Sequence, residues 1–393
     1  MQQHKLKIDM RKINSTLRTI RIVSFRLLLI SILLLSCTDS PTQNVTSLKD
    51  SFKDYFLMGV ALNSEQVLEK DKIISEIVNK HFNSITAENV LKWERVHPEL
   101  NEYNFKPADE FVSFGEKRNM FIVGHVLLWH QQTPRWVFES EKGKPADRET
   151  LLNRLREHIH KVVGRYKGRI DGWDVVNEAL DEDGKLKQSE WMKIIGEDYL
   201  VKAFEFANEA DPDAELYYND FSIENELKRN GAIELIKNLK SKGAKVDGVG
   251  LQGHYKMDWP TTSQLDSTIK AFANLGLKVM ITELDVDALP YEGIEYGADI
   301  SLNVKRREEL DPYRNGMPDS AQQAFSNRYS DLFKVFIENK NSISRITFWG
   351  VTDKESWLNH WPVMGRTNYP LLFDREGKEK PAYKSVLNLV KKN

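Results

Sequence analysis

From about residue 50 to the end of the chain, short runs of consecutive apolar residues alternate with stretches of helical periodicity. The runs Phe56–Leu62, Ser84–Ala87, Phe121–Val126, Gly172–Val176, Glu215–Asn219, Gly248–Leu251, Val279–Thr282 and Arg345–Phe348 predict strands. Most are continuously hydrophobic rather than alternating, which marks strands buried on both faces, as in a parallel sheet. Between them, Leu151–Ile159, Tyr199–Ala207 and Gln322–Lys340 carry helical spacing; the last puts Phe325, Tyr329, Leu332, Phe333 and Phe336 on one face. Eight strand–helix units in a body of roughly 340 residues predict a single (β/α)8 TIM barrel with no second domain. A doubly wound open sheet is the competing architecture. The phosphate loops that would favour it, GxGxxG and GxxxxGK[ST], are absent from the chain. Ala288–Ser320, rich in turn-forming and charged residues, reads as an enlarged loop after the seventh strand, near the strand ends.

The first residues follow another pattern. Residues 1–36 hold seven Lys/Arg against one acid, Asp9, and run into the apolar segment Leu27–Leu35, then Ser36 and Cys37. That segment is too short to span a bilayer. Its basic, apolar, small order predicts a signal peptide over 1–36. Leu-Leu-Ser-Cys resembles a bacterial lipobox, so Cys37 is the expected lipidation site. Residues 37–49 then read as the lipidated cysteine and a polar tether, and 50–393 as the barrel. The expected location is an exported protein anchored by lipid to a bacterial membrane, at the outer membrane or cell surface. Cys37 is the chain's only cysteine, so it forms no intramolecular disulfide. Beyond residue 36 there remain 49 basic and 57 acidic residues, a net of −8. An acidic body argues against nucleic acid as a partner and fits an uncharged ligand such as a neutral polysaccharide.

The active face of such a barrel is built from the C-terminal ends of its strands. Glu88, Asn89, Lys92 and Trp93 follow the second predicted strand. His125, Trp129 and His130 end the third, and Asn177 and Glu178 the fourth. Asn219 and Asp220 end the fifth, Gln252 and His254 the sixth, and Glu283 and Asp285 the seventh. Trp349, Asp353 and Trp357 follow the eighth. A carboxylate pair ringed by indoles and amides suits glycosidic bond cleavage. His97 and His130 lack the paired spacing of metal ligands, and Glu157-His158-Ile159-His160 is not H-E-x-x-H, so neither metal nor cofactor is expected. Trp136, Trp173 and Trp191 read as core or rim packing, Asn219-Asp220 as structural support, and Trp93 is ambiguous.

Trp173–Ala179 (WDVVNEA), Ile281–Val286 (ITELDV), Gly124–Trp136 (GHVLLWHQQTPRW) and Phe348–Trp357 (FWGVTDKESW) stand in the order and spacing of glycoside hydrolase family 10. The chain resembles that family, the retaining endo-β-1,4-xylanases, over about residues 50 to 390. The resemblance implies a (β/α)8 barrel acting on xylan and xylo-oligosaccharides as a monomer. It implies Glu283 as nucleophile and Glu178 as acid/base. It implies substrate binding by Glu88, Asn89, Lys92, His125, Trp129, Asn177, Gln252, His254, Trp349 and Trp357. Asp285 is expected to orient His254 and fix its tautomer. Leu91 and Val126 depart from residues common in the family, but neither position carries chemistry. Two further readings are a broader β-1,4-glycanase acting also on glucan and a sugar-binding lipoprotein without catalysis; the presence of both glutamates weighs against the second.

Overall fold

The computed structural model describes residues 47–140, 143–290 and 302–391. The expected signal peptide, Cys37 and most of the expected tether lie outside them. Among the described residues nine strands are present: β1 (Leu57–Leu62), β2 (Ser84–Ala87), β3 (Phe121–Leu128), β4 (Gly172–Asn177), β5 (Glu215–Asp220), β6 (Gly248–Leu251), β7 (His254–Lys256), β8 (Lys278–Asp287) and β9 (Ile343–Phe348). Eight close into a parallel ring in the order β1-β2-β3-β4-β5-β6-β8-β9, with β9 returning to β1. Closure leaves no free sheet edge in the ring.

Eight long helices surround the ring: α1 (Lys72–His81), α2 (Lys106–Glu116), α3 (Arg148–Arg165), α4 (Asp198–Ala210), α5 (Glu226–Ser241), α6 (Thr262–Ala273), α7 (Asp319–Glu338) and α8 (Pro381–Val390). Their starts are set locally. Asp71 and Asp147 cap α1 and α3, and Thr261 and Gln264 form a capping box on α6. Each helix buries one stripe against strands whose residues are almost all inaccessible. Outside the ring, between strands and helices, Trp173 lies fully buried against Gly124 on the neighbouring strand. A β-carbon at Gly124 would stand 2.1 Å from the indole, so only glycine fits there.

Four strands run past their predicted ends, β4 and β5 by one residue and β3 and β8 by more. β3 continues to Leu128, and β8, the seventh strand of the ring, continues to Asp287. Glu283 and His125 therefore lie within strands rather than at their ends. For β8 the cause is pairing beyond the ring, where β7 adds a parallel partner to Asp285–Asp287; β3 is prolonged by its own pairing with β4, Leu128 opposite Val176. Along this extension Glu283, Asp285 and Asp287 alternate with Leu284 and Val286, a period of two that marks a strand with one polar face.

The connection from β8 to α7 runs from Ala288 to Pro318 and falls partly outside the described residues; its later part holds one turn of 3-10 helix at Glu308–Leu310. Leu48–Ser51 forms a short helix capped by Ser47, with Leu48 fully buried, so these residues pack with the barrel rather than extending the tether. Trp93 is a core residue, stacked 3.6 Å from His158. Trp173 and Trp191 are fully buried, and Trp136 is a partly buried residue bonded to Pro98 O at 2.8 Å. Among the described residues, no helix is long and apolar enough to cross a membrane.

Candidate active site

A cleft of about 500 Å³ opens over the C-terminal ends of the strands. Every catalytic, binding and orienting residue implied by the family resemblance lines it, from Glu88, Asn89 and Lys92 to Trp349 and Trp357; Trp93, His130, Asn219, Asp220 and Asp353, also named at strand ends, do not. Glu178 directly follows β4 and is almost fully buried. Its backbone is left-handed, with φ of +57°, and its N–H donates to Asn219 O at 2.9 Å. Holding a non-glycine residue there costs on the order of 1 kcal/mol, a cost that recurs where a side chain must be aimed.

Three donors hold the Glu178 carboxyl. Trp129 Nε1 donates to Oε2 at 2.9 Å; Asn177 Nδ2 and Gln252 Nε2 donate to Oε1, each at 3.0 Å. Trp129 is thus a direct partner of this glutamate as well as a wall of the cleft. On the facing strand, Glu283 Oε1 accepts from Asn219 Nδ2 at 2.8 Å, and Oε2 lies 3.2 Å from His254 Nε2. The two carboxyls are bridged by amides: Asn219 Nδ2 also donates to Asn177 Oδ1 at 2.9 Å, and Asn177 in turn holds Glu178.

Behind Glu283 runs a second chain. His254 Nδ1 lies 3.0 Å from Asp285 Oδ1, and Asp285 Oδ2 accepts from Trp357 Nε1 at 2.8 Å. Burial lowers the His254 pKa, but Asp285 and Glu283 outweigh it and raise it to about 10. The ring is therefore an imidazolium that donates from both nitrogens. With a carboxylate on each side the ring keeps both protons, and Asp285 holds its Nδ1 edge.

The two glutamates are displaced in opposite directions. Burial raises Glu178 above the ordinary carboxyl range, and the charges of Asp220 and Glu283 add to it, against the bonds from Gln252 and Trp129. Burial acts on Glu283 in the same sense, but the His254 hydrogen bond, the charges of His125 and His254, and Asn219 hold it below that range. The same cleft thus holds one carboxyl that keeps its proton more tightly than usual and one that gives it up more readily.

The model of glycosyl hydrolase family 10 matches residues 47–389. The chain belongs to that family. Endo-1,4-beta-xylanase A of Xylanibacter ruminicola is 47% identical to this family 10 chain over 347 residues, 88% of this chain and 94% of the relative. The beta-1,4-xylanase of Dictyoglomus thermophilum is 40% identical over 345 residues, 87% and 91%. Among solved structures, a GH10 endoxylanase from a sugarcane soil metagenome superposes with a TM-score of 0.85 at 43% identity, covering 87% of this chain and 100% of that one. Xylanase XynB of Paenibacillus barcinonensis gives 0.79 at 38%, covering 88% and 99%.

Three residues of this family 10 cleft escaped sequence reasoning. Asn219, read as support, bonds Glu283 directly; it stands opposite Asn177 in the β4–β5 register. Asp174 lies 2.9 Å from His125 Nδ1 and is likewise its partner in register across β3 and β4. Strand register would have found both. Trp361 stacks on Trp357 at 4.7 Å and lines the cleft; only its spacing from Trp357 hinted at this. Glu88, Asn89 and Lys92 form a small chain: Lys92 Nζ donates to Asn89 Oδ1 at 3.0 Å, and Asn89 Nδ2 to Glu88 Oε1 at 3.1 Å. Among the described residues, no cluster of His, Cys, Asp and Glu could hold a metal ion.

Proposed function

We propose that this chain is an endo-1,4-β-xylanase that cleaves xylan with retention, with Glu283 as nucleophile and Glu178 as acid/base. The observation that supports the assignment is the opposite displacement of the two carboxyls across one amide bridge. Glu283, ionised beside the His254 cation, attacks the anomeric carbon. Glu178, protonated, delivers its proton to the leaving oxygen. Retention needs the two carboxyls about 5–5.5 Å apart, so that no water fits between nucleophile and sugar. Once Glu283 is esterified its charge is gone, and one influence raising Glu178 goes with it. Glu178 is then the better base towards water. Asn177, tied to both carboxyls, is placed to bond the hydroxyl next to the reacting carbon. Lys92, Asn89 and Glu88 bind the sugar on the non-reducing side. Trp349 and Trp357 close over the cleaved sugar, where xylose lacks the hydroxymethyl of glucose.

Proton NMR of the first products from xylan is the test. The β-anomer appears first and α follows only by mutarotation. Initial α product, or equal rates on xylan and carboxymethylcellulose, would overturn the reading.

We also infer export and anchoring through an acylated Cys37, supported by the basic lead, the apolar run and Ser36-Cys37. Mass spectrometry of the native protein should find Cys37 at its start with acyl chains attached. A soluble native form retaining residues 1–36 would exclude this.

A further inference from the structure

Three acids line the cleft from β8: Glu283, Asp285 and Asp287. The first two have roles in the chemistry above. Asp287 has none, although it is buried and lies two residues beyond Asp285 on the same face of the strand. Asp285 grips Trp357 directly, through the indole N–H. Asp287 reaches the same aromatic pair by another route. Its Oδ2 lies 3.5 Å from Arg366 Nη2, and that nitrogen donates to Trp361 O at 3.3 Å. Arg366 Nη1 donates to Pro290 O at 3.5 Å, so this buried guanidinium ties the segment after β8 to the loop after β9. The other Asp287 oxygen, Oδ1, accepts from Asn368 Nδ2 at 2.8 Å and from Leu289 N–H at 2.9 Å. β7 fixes the backbone on which both aspartates stand, with Lys256 facing Asp287 in register.

The loop held in this way is one hydrogen-bonded unit. Trp357–Asn359 is a turn of 3-10 helix, and Trp361 N–H donates to Trp357 O at 3.1 Å beside the stacked indoles. Asn359 Oδ1 accepts from Asn368 N–H at 3.0 Å, and Asn359 Nδ2 donates to Asp353 O at 2.8 Å. The segment carrying Arg366 and Asn368 is thus stitched to the segment carrying the two indoles, and both are tied to Asp287. A buried ion pair adds little net stability over well-packed apolar groups. This one fixes a distance, between the β8 extension and the indole pair. Glucose exceeds xylose by one hydroxymethyl group, and a wall rejects the larger sugar only as far as it refuses to yield. Trp357 packs against His254, at 4.9 Å, and against Trp361, at 4.7 Å, so it yields only if one of them gives way. His254 is held by Glu283 and Asp285. Trp361 is held through Asp287.

We propose that Asp287, acting through Arg366 and Asn368, is a positioning residue that holds Trp361 and Trp357 in a fixed place over the cleaved sugar and so sets how strongly xylose is preferred to glucose there. This rests on the xylanase reading above. The test compares kcat/KM on nitrophenyl β-xylobioside with that on nitrophenyl β-cellobioside. Both are measured on one preparation, so any unfolded fraction cancels from the ratio. Asp287→Asn keeps an acceptor for Leu289 and Asn368 but strands the Arg366 charge. Asp287→Asn combined with Arg366→Met, which removes both charges, is therefore measured beside it. Each should lower the xylo-to-gluco ratio about tenfold, a share of the discrimination that shape supplies. The xylobioside should lose rate through poorer orientation, and the cellobioside should lose less or gain. A role in stability alone would lower both rates together; an unchanged ratio in the combined variant would overturn the proposal. Wild-type protein that cuts neither glycoside would overturn the activity itself. A crystal structure of the combined variant then judges the clamp separately: a displaced Trp361 supports it, and both indoles in their original places refute it.

Discussion

His254 and Glu283 stabilise each other's charge, with Asp285 the larger influence on His254 and His254 the larger one lowering Glu283. Replacing His254 with Asn removes the largest influence that lowers Glu283. The acidic limb of the kcat/KM–pH profile should then move to higher pH, with maximal kcat down about a hundredfold, the cost of losing one charged donor at the reacting group. An unmoved acidic limb would separate that limb from Glu283. Glu283→Ala should abolish turnover on every substrate. Glu178→Ala should keep activity only on leaving groups that need no proton, such as nitrophenolate, and should recover rate with azide. Near wild-type cleavage of xylan by Glu178→Ala would refute the assignment. Trp357 carries two functions in one ring, closing the cleft and donating to Asp285. Trp357→Phe keeps the apolar face and loses the donor, so it should slow turnover more than it weakens binding. The glutamates, His254 and the indoles were legible in the sequence because each ends or follows an apolar run. Asn219 and Asp174 were not, since their roles depend on which residue stands opposite on the next strand.

Strands were the most legible elements, because burial on both faces leaves an apolar run with sharp limits. β8 was misread for the same reason. Beyond Thr282 its outward residues turn acidic to face the cleft, and a search for apolar runs stops there although pairing goes on to Asp287. β7 is too short, at three residues, to leave any pattern. Between β3 and β4 the fit is steric: Gly124 exists to admit Trp173. Gly124→Ala should cost about 3 kcal/mol or prevent folding, since the indole is held on every side and overpacking is not relieved there. Thermal unfolding of the variant measures it. An unchanged midpoint would mean that β3 and β4 can slide apart.

At the level of the whole molecule, acid stability is set by histidines buried outside the cleft. Burial holds His81 down to about 3, and His158 well below its ordinary value, with His97 also lowered. His81 and His158 stay neutral in the fold where the unfolded chain takes up protons, below about pH 6.5, and His97 is shifted in the same sense. Their contribution is therefore intact above that pH and lost as pH falls towards the folded values. The slope is about 1.4 kcal/mol per pH unit for each histidine that remains neutral. The melting temperature should fall steeply below pH 6, and His158→Gln should flatten that fall. A flat profile between pH 6 and 4 would place the acid-sensitive groups elsewhere. His81 also does something that has nothing to do with protons. Its Nδ1 accepts from Leu48 N–H at 3.3 Å and lies 3.5 Å from the Tyr383 hydroxyl, so the first and last helices of the body meet on one ring, below the seam where β9 joins β1. The body is thus a loop in space as well as a barrel. Its beginning could be spliced to α8 through a few glycines and the chain reopened at the exposed turn around Gly243, giving a circular permutant with the same cleft and a different order of synthesis.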